Sequence, residues 1–434
     1  MKTSKLVLIE KYSFITTSVI AREAIKLGID VVVIVPDTIT DSQVAGMPFH
    51  IVRISDWSGI GLEQTIQKIE QDSHIIGIGS ILGFFTGEGL LGAQVAELCQ
   101  SRGLPHIPAE ALFLANNKYL MRQTLAQNGI YTVRHTRVYD EESLLQAAQH
   151  VGFPLILKPV VGLGSSFISV CHNIDDMRRV FEHYMQNIAD GYYAHFFCDH
   201  EFKGQYFDPQ HEMLAEALID GDEISVECLC TENEVWPLIV HDKLDVTQET
   251  YCSYENLLVT PPVQLNEQEQ QQVMSYAQDI LQALGLRNCF CHVEMRLDSQ
   301  KRPSVIEVNP RIGGMRVKDS LKSLLALDYG QVFIDQLLGK EIKRPVPPQI
   351  DGIYGMAAIY PRNSGVLREV RGIEAAGKIP GMISITDHFK PGRKVGGNYE
   401  EVFVVDAWFH ADTLDGILDI DKQMKSLVEV DIEY

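Results

Sequence analysis

The stretch 289–317 contains two glutamates and an asparagine that together could bind a metal ion, and it reads CFCHVEMRLDSQKRPSVIEVNPRIGGMRV. Two runs in it alternate in polarity on either side of the polar connector DSQKR, which predicts a β-hairpin. Because side chains alternate between the two faces of a strand, Glu307 and Asn309 share a face and can meet Glu294 of the neighbouring strand. Such a set of oxygen ligands suits Mg²⁺, which prefers a few carboxylates together with waters and substrate phosphates.

A basic residue and two glycines follow this hairpin. Arg311 comes directly after the Glu-x-Asn run, and Gly313 and Gly314 let the backbone approach a ligand closely. A guanidinium binds carboxylate or phosphate oxygens through paired N–H groups. An exposed polar strand is the ordinary explanation of any one of these residues, but the full spacing E-x12-E-x-N-x-R-x-G-G favours a site.

With this spacing, the chain resembles the ATP-grasp superfamily of ADP-forming ligases. Enzymes of that superfamily hold Mg·ATP with a glutamate on one strand and Glu-x-Asn on the next. The resemblance implies an ATP-grasp fold of mixed α/β and α+β class, with ATP and Mg²⁺ as cofactors and Mn²⁺ as an alternative ion. It assigns Glu294, Glu307 and Asn309 to the metal, and Arg311 to the charge on the transferred phosphoryl group.

Two lysines and a glycine-rich loop upstream fit the same resemblance. The first lysine opens a predicted helix, and the second projects from the apolar strand LILKP, where a buried charge needs an anion. The loop that follows is not a Walker loop, but its backbone N–H groups can surround phosphates. In ATP-grasp enzymes such lysines bind the nucleotide and such a loop closes over it. These nucleotide candidates are Lys118, Lys158, Gly162, Gly164, Ser165 and Ser166.

The segment 214–230 carries the Glu-x-x-x-x-G-x-E pattern of the linker between two ATP-grasp subdomains. In the superfamily, the backbone around the first glutamate reads adenine, and the second glutamate accepts hydrogen bonds from the ribose hydroxyls. The resemblance puts Glu216, Ala217, Leu218 and Glu223 in these places. The ordinary alternative is an acidic hairpin without a ligand.

Three further residues are weaker candidates for the site. His241 and Lys243 share a face of the predicted strand HDKLDV. A structural role is the ordinary interpretation of His241, whereas Lys243 is a candidate contact to phosphate or substrate. Arg316 follows the glycine pair, where its guanidinium is suited to clamp a substrate carboxylate, and a surface charge is the alternative. The catalytic candidates are therefore Arg311, Lys243 and Arg316.

Changes of pattern along the chain predict three domains. Short apolar runs separated by helix-like segments indicate a parallel α/β layer over residues 1–110. The nucleotide motifs place an ATP-grasp domain at 111–343, with a lid subdomain at about 150–220. Alternating stretches over 344–434 resemble the small α+β domain that packs over the active site in many ATP-grasp ligases.

The composition narrows the class of protein. A chain of 434 residues is too long for one compact core, and its net charge of −21 disfavours nucleic acid and anionic membranes as partners. No apolar run reaches the length of a membrane span, and the first residues lack a signal-peptide pattern. The scattered cysteines form no C-x-x-C pair. We therefore expect a cytoplasmic protein, with a homodimer as the habit of the superfamily.

The resemblance implies a reaction as well as a fold. The closing E-V-N-P-R-x-G-G and the long C-terminal segment look most like the L-amino-acid ligases, which join small carboxylates to amines through an acyl phosphate. Amino acids are then the expected partners. A biotin-carboxylase-like or purine-pathway enzyme is the alternative, although basic residues for a second phosphate are sparse. A non-catalytic ATP-binding protein is a third hypothesis, which the intact ligand set disfavours.

Overall fold

A computed structural model describes nearly the whole chain. Leu163, inside the predicted lid loop, lies outside the described residues. None of the helices in the described part of the chain combines the length and the apolar character needed to cross a membrane. The described residues are 2–12, 14–162, 164–191, 193–346, 350–361, 363–395 and 401–433.

Helices occur in every part of the chain, and many of them begin at a polar capping residue. Asn117 caps the helix that Lys118 opens, accepting from the backbone N–H groups of the two residues that follow the lysine. Asn266 and Glu269 form a reciprocal capping box, and Gly285, with φ of 72°, follows the end of the same helix. The helices are α1 (Phe14–Lys26), α2 (Asp41–Val44), α3 (Gly59–Asp72), α4 (Leu91–Gln100), α5 (Ala109–Asn116), α6 (Lys118–Gln127), α7 (Glu141–Val151), α8 (Ile174–Asn187), α9 (Glu267–Ala283), α10 (Val317–Leu325), α11 (Tyr329–Leu337), α12 (Ile373–Ala376) and α13 (Leu414–Leu427).

Strands alternate with these helices in the first part of the chain and dominate the second. The strands are β1 (Thr3–Ile9), β2 (Asp30–Pro36), β3 (His50–Ile54), β4 (Ser73–Gly79), β5 (Phe85–Thr86), β6 (Gly89–Leu90), β7 (His135–Val138), β8 (Leu155–Pro159), β9 (Ser169–Cys171), β10 (His200–Phe202), β11 (Gln205–Phe207), β12 (Met213–Ala217), β13 (Asp222–Cys230), β14 (Val235–Gln248), β15 (Ser253–Thr260), β16 (Cys289–Leu297), β17 (Pro303–Asn309), β18 (Ile353–Ile359), β19 (Gly365–Arg371), β20 (Met382–Asp387), β21 (Lys394–Val395), β22 (Val405–Ala411) and β23 (Glu429–Glu433).

The first layer is a four-stranded parallel sheet in the order β3-β2-β1-β4. Residues 6–9 of β1 and 31–35 of β2 are apolar without interruption because both faces of these central strands are buried in separate hydrophobic clusters. Helix α11, from a distant part of the chain, completes one of these clusters through Ile334. Two glycines make room for that helix, since a Cβ at Gly77 would lie 2.6 Å from the carbonyl oxygen of Leu337.

The second layer is an antiparallel sheet in the order β7-β12-β8-β9, packed against α7 and α8. It includes β7 and α7, which precede the predicted start of the lid near residue 150. The segment between β12 and β13 leaves this sheet and enters the next one, as a linker between two subdomains should. Lys158 of β8 and Glu216 of β12 therefore stand next to the central sheet.

The third layer is an antiparallel sheet of eight strands in the order β17-β16-β13-β14-β15-β18-β22-β20. Helix α9 packs against it over a core that includes Val226 and Val293. The last three strands of this order come from the predicted C-terminal domain. They join the central sheet where β18 pairs with β15, with Leu257 opposite Ala357. Main-chain hydrogen bonds thus cross the expected boundary at residue 343. Together, the parallel and antiparallel layers confirm the predicted mixed class.

Candidate active site

A cavity of about 480 Å³ lies where the three layers meet. Its wall combines the second layer, the central sheet, the loop after β4 and a part of the C-terminal segment. The sequence-predicted residues in this wall are Lys158, Gly164, Ser165, Glu216, Ala217, Glu223, Glu294, Glu307 and Arg311. Those outside it are Lys118, Gly162, Ser166, Leu218, Lys243, Asn309 and Arg316.

The β16–β17 hairpin forms as predicted and sets the two acidic side chains opposite each other. Glu294 pairs in register with Glu307, and His292 with Asn309. Lys118 Nζ lies 2.9 Å from Glu307 Oε2, and Asn309 Nδ2 donates to Glu307 Oε1 at 2.7 Å. Two carboxylates and an amide on adjacent strands are the oxygen ligands that Mg²⁺ takes, so the residues present fit this ion.

A buried ion-pair group sits beside the hairpin. Arg122 donates to both oxygens of Glu216 at 2.8 and 3.1 Å, and Lys158 Nζ lies 2.7 Å from Glu216 Oε2. Burial alone would raise the pKa of Glu216, but Arg122 and Lys158 outweigh burial and lower this pKa to about 2. Burial also lowers the pKa of Lys158. The group fixes Lys158 at the cavity wall, where Glu216 balances the charge of its ammonium.

Lys243 occupies a different place from the one predicted for it. Its ammonium is fully buried and lies 2.6 Å from Glu223, 2.5 Å from Glu255 and 2.9 Å from Glu294. A buried ammonium must be compensated, and three carboxylates from neighbouring strands do so here. Direct contact of Lys243 with phosphate or substrate is therefore not supported. Instead, Lys243 holds Glu294 in position, which alternation in one strand does not reveal.

His292 is a neighbour of Glu294 to which the sequence interpretation assigned no role. Its Nδ1 pairs with the buried Glu227, and its Nε2 lies 3.3 Å from Glu294. Burial alone would lower the pKa of His292, but Glu227 and Glu294 outweigh it and raise this pKa to about 10. Gly313 N donates to Glu227 at 3.1 Å, and a Cβ at Gly313 would lie 2.7 Å from the imidazole. The first glycine of the pair is thus required by close packing.

Arg311 projects into the cavity from the turn after β17. Its guanidinium donates to the carbonyl oxygen of Ile312 at 2.8 Å and lies 5.9 Å from the ring centroid of Phe84. Within the described ranges, no carboxylate pairs with it. Phe84 belongs to the glycine-containing loop after β4, so the first layer contributes to the cavity. Arg311 is available to bind an anion.

Two of the weaker candidates face away from the cavity. Arg316 is buried and lies 2.6 Å from Asp406 of β22, with a further hydrogen bond to Thr386 at 2.6 Å. This placement does not support the prediction that Arg316 clamps a substrate carboxylate, because the side chain of Asp406 already pairs with its guanidinium. His241 is fully buried and its Nε2 lies 3.0 Å from Ser320 Oγ, which agrees with a structural role.

The C-terminal segment supplies a carboxylate that no sequence motif indicates. Glu401 lies in the cavity wall, and its Oε1 accepts from Tyr360 OH at 2.5 Å and from the backbone N–H of Glu255 at 3.0 Å. Its own backbone N–H donates to the carbonyl oxygen of Gly164 at 3.1 Å. The glycine-rich loop and the C-terminal segment therefore meet over the cavity.

The glycine-rich loop is docked onto the central sheet. Ser166 forms an isolated β-bridge with Cys252, and Ser169 Oγ donates to the carbonyl oxygen of Thr250 at 2.7 Å. Farther along the same layer, Phe196 packs against Phe84 with ring centroids 4.9 Å apart. These contacts cover the cavity, which is the arrangement that shields a reactive intermediate from water.

Three comparisons agree with this geometry. Residues 151–319 match the ATP-grasp domain family. Over 307 residues, 69% of the chain, it is 27% identical to alanine–anticapsin ligase of Bacillus subtilis (strain 168), and this match spans 61% of that protein. The fold matches the L-amino acid ligase of Bacillus licheniformis with a TM-score of 0.75 at 18% identity, covering 100% of both chains. It also matches phosphoribosylglycinamide synthetase of Anaerococcus prevotii, with a TM-score of 0.68 at 16% identity, covering 99% of this chain and 100% of that one.

Proposed function

We propose that this chain is an ADP-forming ligase that joins a carboxylate to an amine, because residues 151–319 match the ATP-grasp domain family and the fold matches that of an L-amino acid ligase. The observation that carries the proposal is the meeting of the hairpin carboxylates Glu294 and Glu307, the cation Lys158 and the uncompensated Arg311 in one covered cavity. Carboxylates for a metal, a lysine for phosphates and a free guanidinium are the parts that phosphoryl transfer needs.

The side chains have distinct roles in this proposal. Lys118 and Lys158 exchange their carboxylate partners for the nucleotide phosphates and neutralise them, while the loop carrying Gly164 and Ser165 excludes water. Glu294, Glu307 and Asn309 would hold Mg²⁺, which would supply positive charge to neutralise the phosphates. The linker residues near Glu216 and Glu223 would bind the adenine and ribose, a role that we carry over from the ATP-grasp resemblance.

Arg311 acts on the substrate side of the nucleotide. A substrate carboxylate oxygen attacks the γ-phosphorus, ADP leaves, and an acyl phosphate forms. An amine then attacks the acyl carbon, the C–N bond forms, and inorganic phosphate leaves. Arg311 stabilises the charge on the transferred phosphoryl group and then on the tetrahedral intermediate, since its guanidinium lines the cavity and has no carboxylate partner among the described residues.

We further propose that both substrates are amino acids. The similarity of this chain to an alanine–anticapsin ligase and to an L-amino acid ligase supports this proposal. The cavity also has the mixed charge that an amino acid needs, with Arg311 for a carboxylate and Glu401 for an ammonium group. Bicarbonate has no amine and would have no use for the second of these.

The test is release of ADP and phosphate from Mg·ATP, measured against a matrix of amino-acid pairs. Separate wells contain bicarbonate with biotin, or one amino acid with hydroxylamine, which captures an acyl phosphate as a hydroxamate. Release that requires two amino acids supports the proposal, and mass spectrometry of the product identifies the pair. Release with bicarbonate alone would favour the carboxylase alternative, and nucleotide binding without release in any well would favour a non-catalytic ATP-binding protein.

A further inference from the structure

The wall of the cavity near the C-terminal segment carries more negative than positive charge. Glu401 lies next to Glu255 and accepts a hydrogen bond from its backbone N–H. Tyr360 OH donates to the same carboxylate oxygen of Glu401. The neighbouring cation, Lys243, is shared among three other carboxylates. Within the described ranges, no cation pairs with Glu401.

We propose that Glu401, assisted by Glu255, forms the subsite that receives the ammonium group of the amine substrate. The inference rests on the proposed ligase function and adds the chemical group that this end of the cavity recognises. Ionising the carboxyl group of Glu401 in a covered pocket without a cation is costly, and a primary ammonium ion offsets this cost while donating several hydrogen bonds. The subsite therefore selects amines that arrive with a positive charge.

The position of Glu401 places this ammonium where the second step needs it. Its backbone N–H contacts the carbonyl oxygen of Gly164, in the loop that covers the phosphates. An amine held by Glu401 is then beside the end of the cavity where the acyl phosphate forms. Arg311 lines the same cavity and holds the opposite charge, so an amine and an acyl phosphate can be bound together.

The same carboxylate is suited to take the proton that the amine must lose. Burial, and then the negative charge of Glu255, raise the pKa of Glu401 to about 8, close to the value of about 8 for an α-amino group. The groups that face Glu401 are Tyr360, Glu255, Lys243 and Tyr254. Of these, Lys243 is the one cation among the described residues, and it pairs with other carboxylates.

The proton balance of this step is simple. Glu401 carboxylate takes one proton from the ammonium ion, and the free amine attacks the acyl carbon. The C–N bond forms, the bond from the acyl carbon to the phosphate oxygen breaks, and the leaving phosphate takes the second proton from nitrogen. Glu401 then returns its proton to solvent.

The experiment separates the amine step from carboxylate activation by using two nucleophiles. Hydroxylamine is uncharged at neutral pH and does not need an ammonium subsite. In Glu401→Gln we expect the KM of the amino-acid acceptor to rise about tenfold or more, as the loss of a hydrogen bond to a charged group predicts, while hydroxamate formation stays near wild type. Glu429→Gln, in an exposed ion pair with Arg371, is the matched control and should change neither rate.

Two outcomes overturn the subsite. If hydroxamate formation falls with the acceptor reaction, Glu401 serves carboxylate activation, and if neither changes, its carboxylate is structural. Tyr360→Phe is the milder variant, which keeps the carboxylate and should raise the acceptor KM less than Glu401→Gln does.

Direct binding tests the subsite without turnover. Alaninamide carries an ammonium group but no carboxylate, and its affinity is measured by calorimetry in the presence of Mg·ADP. Weaker binding to Glu401→Gln than to wild type supports the subsite even if no amino-acid pair is ligated, in which case the proposed reaction fails and the subsite does not. Equal binding, or none to wild type, overturns the subsite.

Discussion

The two ends of the cavity treat charge in opposite ways. At the hairpin end, Glu307 pairs with Lys118, and Glu216 pairs with Arg122 and Lys158, so each of these carboxylates has a cation. At the C-terminal end, the side chain of Glu401 accepts from a hydroxyl and a backbone N–H and has no cation partner within the described part of the chain. The difference teaches that a preformed ion pair prepares a site to exchange partners, whereas an uncompensated charge prepares a site to gain one.

Removing a cation from the hairpin end should have the largest effect. Arg122→Ala leaves Glu216 buried with one cation fewer, and breaking a buried pair in this way costs about 3–5 kcal/mol of folding stability. Thermal denaturation at neutral pH measures the loss. Arg178→Ala removes an exposed pair with Glu141 and should stay close to wild type. Equal stability of the two variants would contradict the difference between buried and exposed pairs.

Removing the uncompensated cation should affect catalysis and not folding. We expect Arg311→Ala to lose about 3 kcal/mol or more of transition-state stabilisation, by analogy with an oxyanion donor, with the melting temperature nearly unchanged. Steady-state ADP release gives the loss in kcat, and circular dichroism gives the melting temperature. Near-wild-type turnover would remove Arg311 from the mechanism.

Substitution of Arg316 should lower stability, as substitution of Arg122 does, but by a smaller amount. Arg316→Ala leaves Asp406 buried without its guanidinium, and losing hydrogen bonds to a charged group costs about 1.5–3 kcal/mol of stability. Because Arg316 faces away from the cavity, the KM values for ATP and substrates should not change. A raised substrate KM with unchanged stability would restore Arg316 to the substrate site.

The smallest expected effect is on the pH dependence of stability, to which Glu401 at the C-terminal end of the cavity should contribute. The raised pKa of Glu401, about 8, means that the folded state binds a proton the unfolded state has lost, so this residue lowers stability as pH rises from about 4 to about 8. Glu401→Gln should remove this contribution to the slope of the free energy of unfolding against pH, which is at most about 1.4 kcal/mol per pH unit. The stability of the variant relative to wild type should therefore increase toward pH 8. Melting temperatures between pH 5 and 8 provide the test, and parallel curves would contradict it.

The hairpin end could be predicted from the sequence because its geometry is local. The register of β16 and β17 follows from their alternation, and it brings Glu294 opposite Glu307. The parallel first layer also follows from its apolar runs. The ATP-grasp group and the mixed fold class are confirmed, whereas the roles of the site residues remain predictions.

The C-terminal end could not be predicted because its geometry depends on distant pairing. Glu401 reaches the cavity only because β18 pairs with β15, about a hundred residues earlier in the chain. The same reason explains why the ion pairs of Lys243 and Arg316 could not be predicted, since their carboxylate partners lie on strands that no local pattern connects to them. Periodicity gives the face of a side chain, but not the partner on the next strand.

The pairing of β15 with β18 has a consequence for attempts to shorten the protein. In a chain cut near residue 343, β15 would become the outer strand of the central sheet, with its row of N–H and C=O groups exposed over Leu257 to Thr260. Unprotected edges of this kind recruit other chains. The last ninety or so residues therefore protect a sheet edge from self-association as well as covering the cavity. We expect a chain without them to be insoluble, so that aggregation would be seen before any loss of activity could be measured.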